Sequence, residues 1–180
     1  MKELKPSIIS GLAIFLLGII SLGIRELGST LLFVPGLLFG FALIRNKDEI
    51  SKFRKIVFVV ISTLTYLLVI LLFAYLLDGN WVPKKHGIVF SFFLSSLFGG
   101  AVLLFIYRIV LQDRINIVLS YFLLLPLSVL TSLPAIMDGL YKITNSSGKL
   151  GTIIEVSSIS IWQIGFTFII YPIWKAQTNE

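Results

Sequence analysis

Arg45-Asn46-Lys47-Asp48-Glu49-Ile50-Ser51-Lys52-Phe53-Arg54-Lys55 is the densest run of charge in a chain that is otherwise apolar. Five of the 15 lysines and arginines sit here: Arg45, Lys47, Lys52, Arg54 and Lys55. Long apolar runs flank the stretch on both sides. Lysine and arginine beside membrane spans are retained on the cytoplasmic face, so this stretch sets the direction in which every other segment is threaded.

Composition says why spans are expected at all. The 180 residues are 57% hydrophobic and 13% charged, with a mean hydropathy of +0.98. A water-soluble domain draws on roughly 25% charged residues to cover its surface, and this chain has about half that share. It reads as an all-α, polytopic transmembrane helical bundle: one integral membrane domain over residues 1–180, without a separate soluble domain. The net charge is +6, and most of the excess flanks the apolar runs. There it controls topology and attracts anionic headgroups, and it does not make a nucleic-acid footprint. Cysteine is absent, which excludes disulfides, thiolate metal ligands and a cysteine nucleophile.

Toward the N-terminus from the charged run lie apolar segments 28–44 and 8–24, joined by a tight turn at Arg25-Glu26. Both are somewhat shorter than the about 20 residues that a ~30 Å hydrocarbon core requires. Pro35 is expected to kink the second, and Gly36 and Gly40 form a GxxxG pair that lets two backbones approach closely. Two readings fit: a closely packed pair of short spans, which is preferred, or a re-entrant-like hairpin. Both return the chain to the side of the N-terminus. The first run follows Lys2 and Lys5 but has no small-x-small cleavage site and leads through Gly23-Ile24-Arg25-Glu26 into the second. It therefore reads as a retained span rather than a signal peptide.

Toward the C-terminus, 56–77 is a clean span closed by Asp78-Gly79-Asn80, with Tyr75 and Trp81 suited to headgroup depth. Segment 87–111 follows, with Ser91, Ser95 and Gly99 as a small-residue stripe and Arg108 near its cytoplasmic end. Segment 115–137 contains Pro126 and Pro134 and is expected to kink; 138–155 is expected to be the longest outer loop; 156–174 is the last span. With the N-terminus inside, Lys2, Lys5, the five residues of the charged run, Arg108, Arg114 and Lys175 are cytoplasmic. Only Arg25, Lys84, Lys85, Lys142 and Lys149 are outside. That bias is the one expected of six spans with both termini cytoplasmic.

The middle of every span lacks ionisable residues, which argues against a proton-coupled pump or ion pathway. The single histidine, His86, stands beside Lys84 and Lys85 in an outer loop, and no GxSxG, HExxH or paired-glutamate motif accompanies it. Asp138-Gly139 lacks the further aspartates that a metal-dependent headgroup transferase needs. No catalytic residue, metal ligand or cofactor is assigned. Asn145-Ser146-Ser147 matches a glycosylation acceptor on the outer side, a weak three-residue signal without meaning in a bacterium.

Two polar stripes carry more information. Ser157, Ser160, Gln163, Thr167 and Tyr171 fall within about 120° on the last helix at about 100° per residue. Asn116, Ser120, Thr131, Pro134 and Asp138 share a face of the fifth. Polar groups facing hydrocarbon are costly, so both stripes should turn inward. The bland reading is helix–helix glue at ~0.6 kcal/mol per contact. The functional reading is an outward-facing pocket lined by Gln163, Ser160, Thr167, Thr131 and Asp138. Gln163 is the position singled out for it, because a primary amide has four hydrogen-bonding positions to satisfy; Trp162 beside it suits a headgroup anchor or a stacking wall. Gly36, Gly40, Ser91, Ser95 and Gly99 are the candidate packing or partner positions.

No family motif is present. In size and span count alone the chain falls in the same class as the substrate-binding subunits of energy-coupling-factor vitamin transporters, a fold-level analogy only, of whose docking Ser7-x-x-x-Gly11 is at most a faint echo. The expected function is non-catalytic binding of a membrane partner or ligand, as a subunit, accessory or immunity-type protein. The alternative is a small-solute transport component with a pocket between helices four to six, and the third reading is a lipid-acting enzyme using His86 and Asp138. The expected location is the plasma membrane, the inner membrane of a bacterium, with the lipid bilayer and another membrane protein or a small ligand as partners. Nucleic acid is not expected, and the oligomeric state is left open.

Overall fold

A computed structural model describes residues 4–21, 34–45, 47, 49–79, 84–111, 117–141 and 148–177. Among these there are six α-helices and no strand: α1 (Leu4–Ser21), α2 (Val34–Ile44), α3 (Lys52–Asp78), α4 (Lys84–Leu111), α5 (Ile117–Tyr141) and α6 (Gly148–Gln177). Three apolar stretches are long enough to cross a membrane: Lys52–Asp78, His86–Leu111 and Val118–Asp138. Shorter apolar helical stretches run over Ile8–Leu17, Val34–Ile44 and Val156–Ile170. The turns at Arg25-Glu26 and Gln112-Asp113-Arg114, Trp81, Asn116, the Asn145-Ser146-Ser147 tip and the side chains of Ser7, Lys84, Lys85, Glu155 and Tyr171 lie outside the described residues.

The helix ends revise two expectations. The charged run is not all loop: α3 begins at Lys52, so Lys52, Phe53, Arg54 and Lys55 form its first turn. Ser51 caps it, its hydroxyl accepting from the Arg54 N–H at 3.4 Å, which satisfies one of the donors that a helix start leaves orphaned. The preceding turn is tight, with Lys47 N–H donating to Ile44 O at 3.1 Å and Ile50 N–H to Lys47 O at 3.3 Å. Likewise the expected 138–155 loop is mostly helix, because α5 continues to Tyr141 and α6 begins at Gly148. Hydropathy marks where lipid ends, while backbone hydrogen bonding carries a helix on into the headgroup layer. α5 runs unbroken through Pro126 and Pro134; each lacks an N–H, so the carbonyls of Phe122 and Leu130 have no donor four residues on. Pro35, the expected kink, falls in the first described turn of α2, and the residues just before Val34 lie outside the described residues.

Helices adjacent in the chain pack side by side, and α6 packs back against α1, closing a ring. α6 also touches α2 and α4 across it. Neighbours run antiparallel: Phe58 meets Tyr107 while Phe73 meets Phe92, and Gly36 faces Tyr66 and Thr63 while Gly40 faces Val59. The centre is filled by Phe39, Phe58, Leu103, Leu104, Leu124, Leu127 and Phe166, with Trp162 packed against them. Large apolar side chains point outward on all six helices, most continuously on α3 (Phe53, Ile56, Val60, Leu64, Leu68, Leu71) and α5 (Val118, Phe122, Leu125, Val129, Leu133). An apolar exterior around a filled apolar interior is what lipid as solvent permits and water does not.

Close helix approach explains several small residues. A Cβ built on Gly36 would lie 2.8 Å from Tyr66 Cβ and 2.9 Å from Thr63 Cα, and one on Gly40 3.1 Å from Val59 Cα. The GxxxG pair therefore seats α2 on α3 of the same chain, and that surface is already occupied. Gly99 faces Val69 of α3 (2.6 Å from a built Cβ to Cγ2), and Gly165 of α6 faces the Leu127 side chain of α5.

Candidate functional site

Gln163 lies on the inner face of α6 and is 1% exposed. Its Nε2 donates to the backbone carbonyl of Pro35 on α2 at 3.0 Å, and its Oε1 accepts from the Ser10 hydroxyl of α1 at 3.5 Å. A carbonyl can only accept, so Pro35 fixes which way the amide is turned, with the NH2 toward α2 and the oxygen toward α1. One side chain thus joins three helices. Beside it, Trp162 Nε1 donates to Ser96 O of α4 at 3.0 Å. The Trp162 ring stacks on Phe166 at 5.1 Å, and Phe39 of α2 packs at 5.6 Å from both rings. Trp162 is half-buried, with its ring against Phe39 and Phe166 and its N–H on α4.

Ser160 and Thr167 of the α6 stripe face the same way. Both are buried, and Ser160 O lies 3.4 Å from a Cβ built on Gly11 of α1. Their hydroxyls turn back onto their own helix, Ser160 to Val156 O and Thr167 to Gln163 O, each at 2.9 Å. On α5, Thr131 bonds Leu127 O at 2.8 Å, Ser128 bonds Leu124 O at 2.8 Å and Ser132 bonds Ser128 O at 2.9 Å. These hydroxyls satisfy themselves without reaching a neighbour, a pattern Ser and Thr adopt in helices. Asp138 is half-buried near the end of α5 and His86 is exposed at the start of α4.

The hydrogen-bond partners of Gln163 are on α1 and α2, while Thr131 bonds within α5. Sequence reasoning did not find Ser10 or the Pro35 carbonyl. Ser10 lies just before Gly11 and is visible as a small polar residue, but a backbone acceptor leaves no trace in a sequence. Two further cross-helix bonds were equally hidden: Ser62 Oγ to Gly36 O at 3.2 Å and Tyr121 OH to Ala101 O at 3.3 Å.

Ser91 and Ser95 on α4 and Ser158 on α6 are buried, and their hydroxyls have no hydrogen-bond partner. Ser91 and Ser95 precede Gly99 by two turns and one. Burying a hydroxyl unpaired costs about 1–3 kcal/mol, and a χ1 rotation toward the carbonyl four residues back would remove that cost. At the opposite end of α4, Lys47 Nζ lies 5.6 Å from the centroid of the buried Tyr107 ring, whose edge meets Phe58 at 5.9 Å. That contact holds the α2–α3 turn against the end of the bundle. No group of three or more His, Cys, Asp or Glu side chains converges among the described residues.

Comparison of the chain with protein-family models, curated proteins and solved structures finds no match.

Proposed function

We propose that this is a non-catalytic multi-pass protein of the plasma membrane, the inner membrane of a bacterium. It would cross six times with both termini cytoplasmic and act by binding another membrane component, as a subunit, accessory or immunity-type protein. The observation that carries this reading is the occupancy of the interior. Gln163, the side chain best suited to hold a ligand, is committed to Ser10 and Pro35, and the space beside it is filled by Trp162, Phe39 and Phe166. A bundle whose polar groups bond one another keeps its outer surface for interaction. The alternating directions of α2, α3 and α4 and the basic bias of the Arg45–Lys55 end support the six-span threading, with 8–24 and 28–44 as a packed pair of short spans.

A second reading, a small-solute transport component with a pocket between α4, α5 and α6, draws on the unpartnered hydroxyls of Ser91, Ser95 and Ser158. Native mass spectrometry of the protein in mild detergent, purified from its own host, separates the two. A second polypeptide in fixed stoichiometry is expected. A stoichiometric small solute, lost in Ser158→Ala or Ser95→Ala at unchanged melting temperature, would replace this reading with the second.

A further inference from the structure

The exposed face of α3 is a continuous apolar stripe from Phe53, which is 75% exposed, through Ile56, Val60, Leu64, Leu68 and Leu71 to Tyr75. Its two ends differ in charge. At the start stand exposed Lys52 and Arg54, with exposed Arg45 just before them in the α2–α3 turn; at the far end stands exposed Asp78. Glu49 is the one described acidic residue of the turn, and Asp48 lies outside the described residues. The cation-ended pattern recurs on α4 at the same end of the bundle, where exposed Arg108 adjoins exposed Phe105 and Ile109 at helical spacing.

We propose that the α3 face binds an anionic phospholipid of the cytoplasmic leaflet. The headgroup phosphate lies against Lys52 and the basic turn before it, and an acyl chain lies along Phe53, Ile56 and Val60. This rests on the membrane reading above and adds a lipid class and a leaflet to it. Charge complementarity selects the occupant: cations at the edge of an apolar face favour an anionic head on an apolar tail, whereas Asp78 repels the same lipid in the other leaflet. A zwitterionic lipid fits the stripe and carries the same phosphate, but its own cationic group offsets the gain from Lys52.

The test uses the full chain reconstituted in vesicles, with Phe53→Trp as reporter and the parent chain as the background for its three native tryptophans. Quenching is compared between brominated phosphatidylglycerol and brominated phosphatidylcholine, and Phe122→Trp on the exposed face of α5 is the control. The expected result is stronger quenching of the Phe53 reporter by phosphatidylglycerol. That preference should fall about fivefold when Lys52→Gln removes one cation near the surface, survive Lys52→Arg, and weaken with added salt. Equal quenching by the two lipids, or a preference indifferent to Lys52→Gln, overturns the proposal and leaves the membrane reading standing. Quenching by neither lipid at Phe53 but by both at Phe122 means that a second copy covers α3, and overturns it as well. Quenching at neither position overturns the proposal and the membrane reading together.

Discussion

The α1–α2–α6 side of the bundle and the α3–α4–α5 side are held together by different physics. On the first, Gln163 bonds across helices to Ser10 and Pro35, with Ser62 of α3 adding a bond to Gly36 of α2, although Ser160 and Thr167 turn back onto α6. On the second, most hydroxyls bond their own helix and the contacts are made by shape, with Gly99 and Gly100 receiving Val69 and Leu124; Tyr121 to Ala101 is the exception. Among the described residues α1 and α2 are the short helices, whereas α6, on the same side, is the longest at 30 residues. α3, α4 and α5 have 27, 28 and 25 residues, whereas α1 and α2 have 18 and 11 described residues. A long apolar helix takes its depth from the match between its length and the bilayer. Short ones get less from length, and a directional bond to a deep partner fixes their register.

The largest effect expected from breaking this arrangement is at the α2–α3 seat. Gly36→Leu puts atoms where Thr63 Cα and Tyr66 Cβ already stand, and backbone must move. It should cost about 3 kcal/mol, the upper end for overpacking, read as loss of folded, monodisperse protein in detergent. Gln163→Leu comes next. It removes two cross-helix bonds, each worth about 0.6 kcal/mol and rarely above about 1.7, so a total near 1–2 kcal/mol is expected in a thermal melt. A double-mutant cycle with Ser10→Ala should show coupling between them, and strict additivity would mean that the 3.5 Å contact contributes nothing. Gly99→Ala should cost below about 1 kcal/mol, because the nearest atom is a Val69 methyl that can turn aside. Smallest of all, Thr131→Ala and Ser132→Ala should change the melting temperature little, since each loses only a bond within its own helix. If the α5 variants proved as damaging as Gln163→Leu, the contrast between the two sides would fail.

The α-helical class, the order of the helices and the inward turn of the polar stripes were legible because hydropathy and helical period report directly on lipid contact. Helix ends were not legible: Ser51 caps α3 inside the charged run that hydropathy reads as loop, and the helical residues 138–141 and 148–155 lie outside the apolar runs and leave no hydropathy signal. The importance of Gln163 was also legible, from the demands of its amide, but its role was not. Whether an amide meets a ligand or a carbonyl depends on which backbone lies opposite, and the Pro35 carbonyl is chemically the same as every other. The Gly36–Gly40 pair likewise announced close approach without saying to what; the structure gives α3 as the answer.

The proposed six-span threading can be tested directly. The chain has no cysteine, so Ser51→Cys and Ser147→Cys each create a single thiol, one in the basic turn before α3 and one in the segment before α6. Labelling intact cells with a membrane-impermeant maleimide should modify the Ser147→Cys protein alone, with the Ser51→Cys protein reacting only after the cells are opened. Modification of both from outside, or of neither until the cells are opened, would contradict six spans with both termini in the cytoplasm.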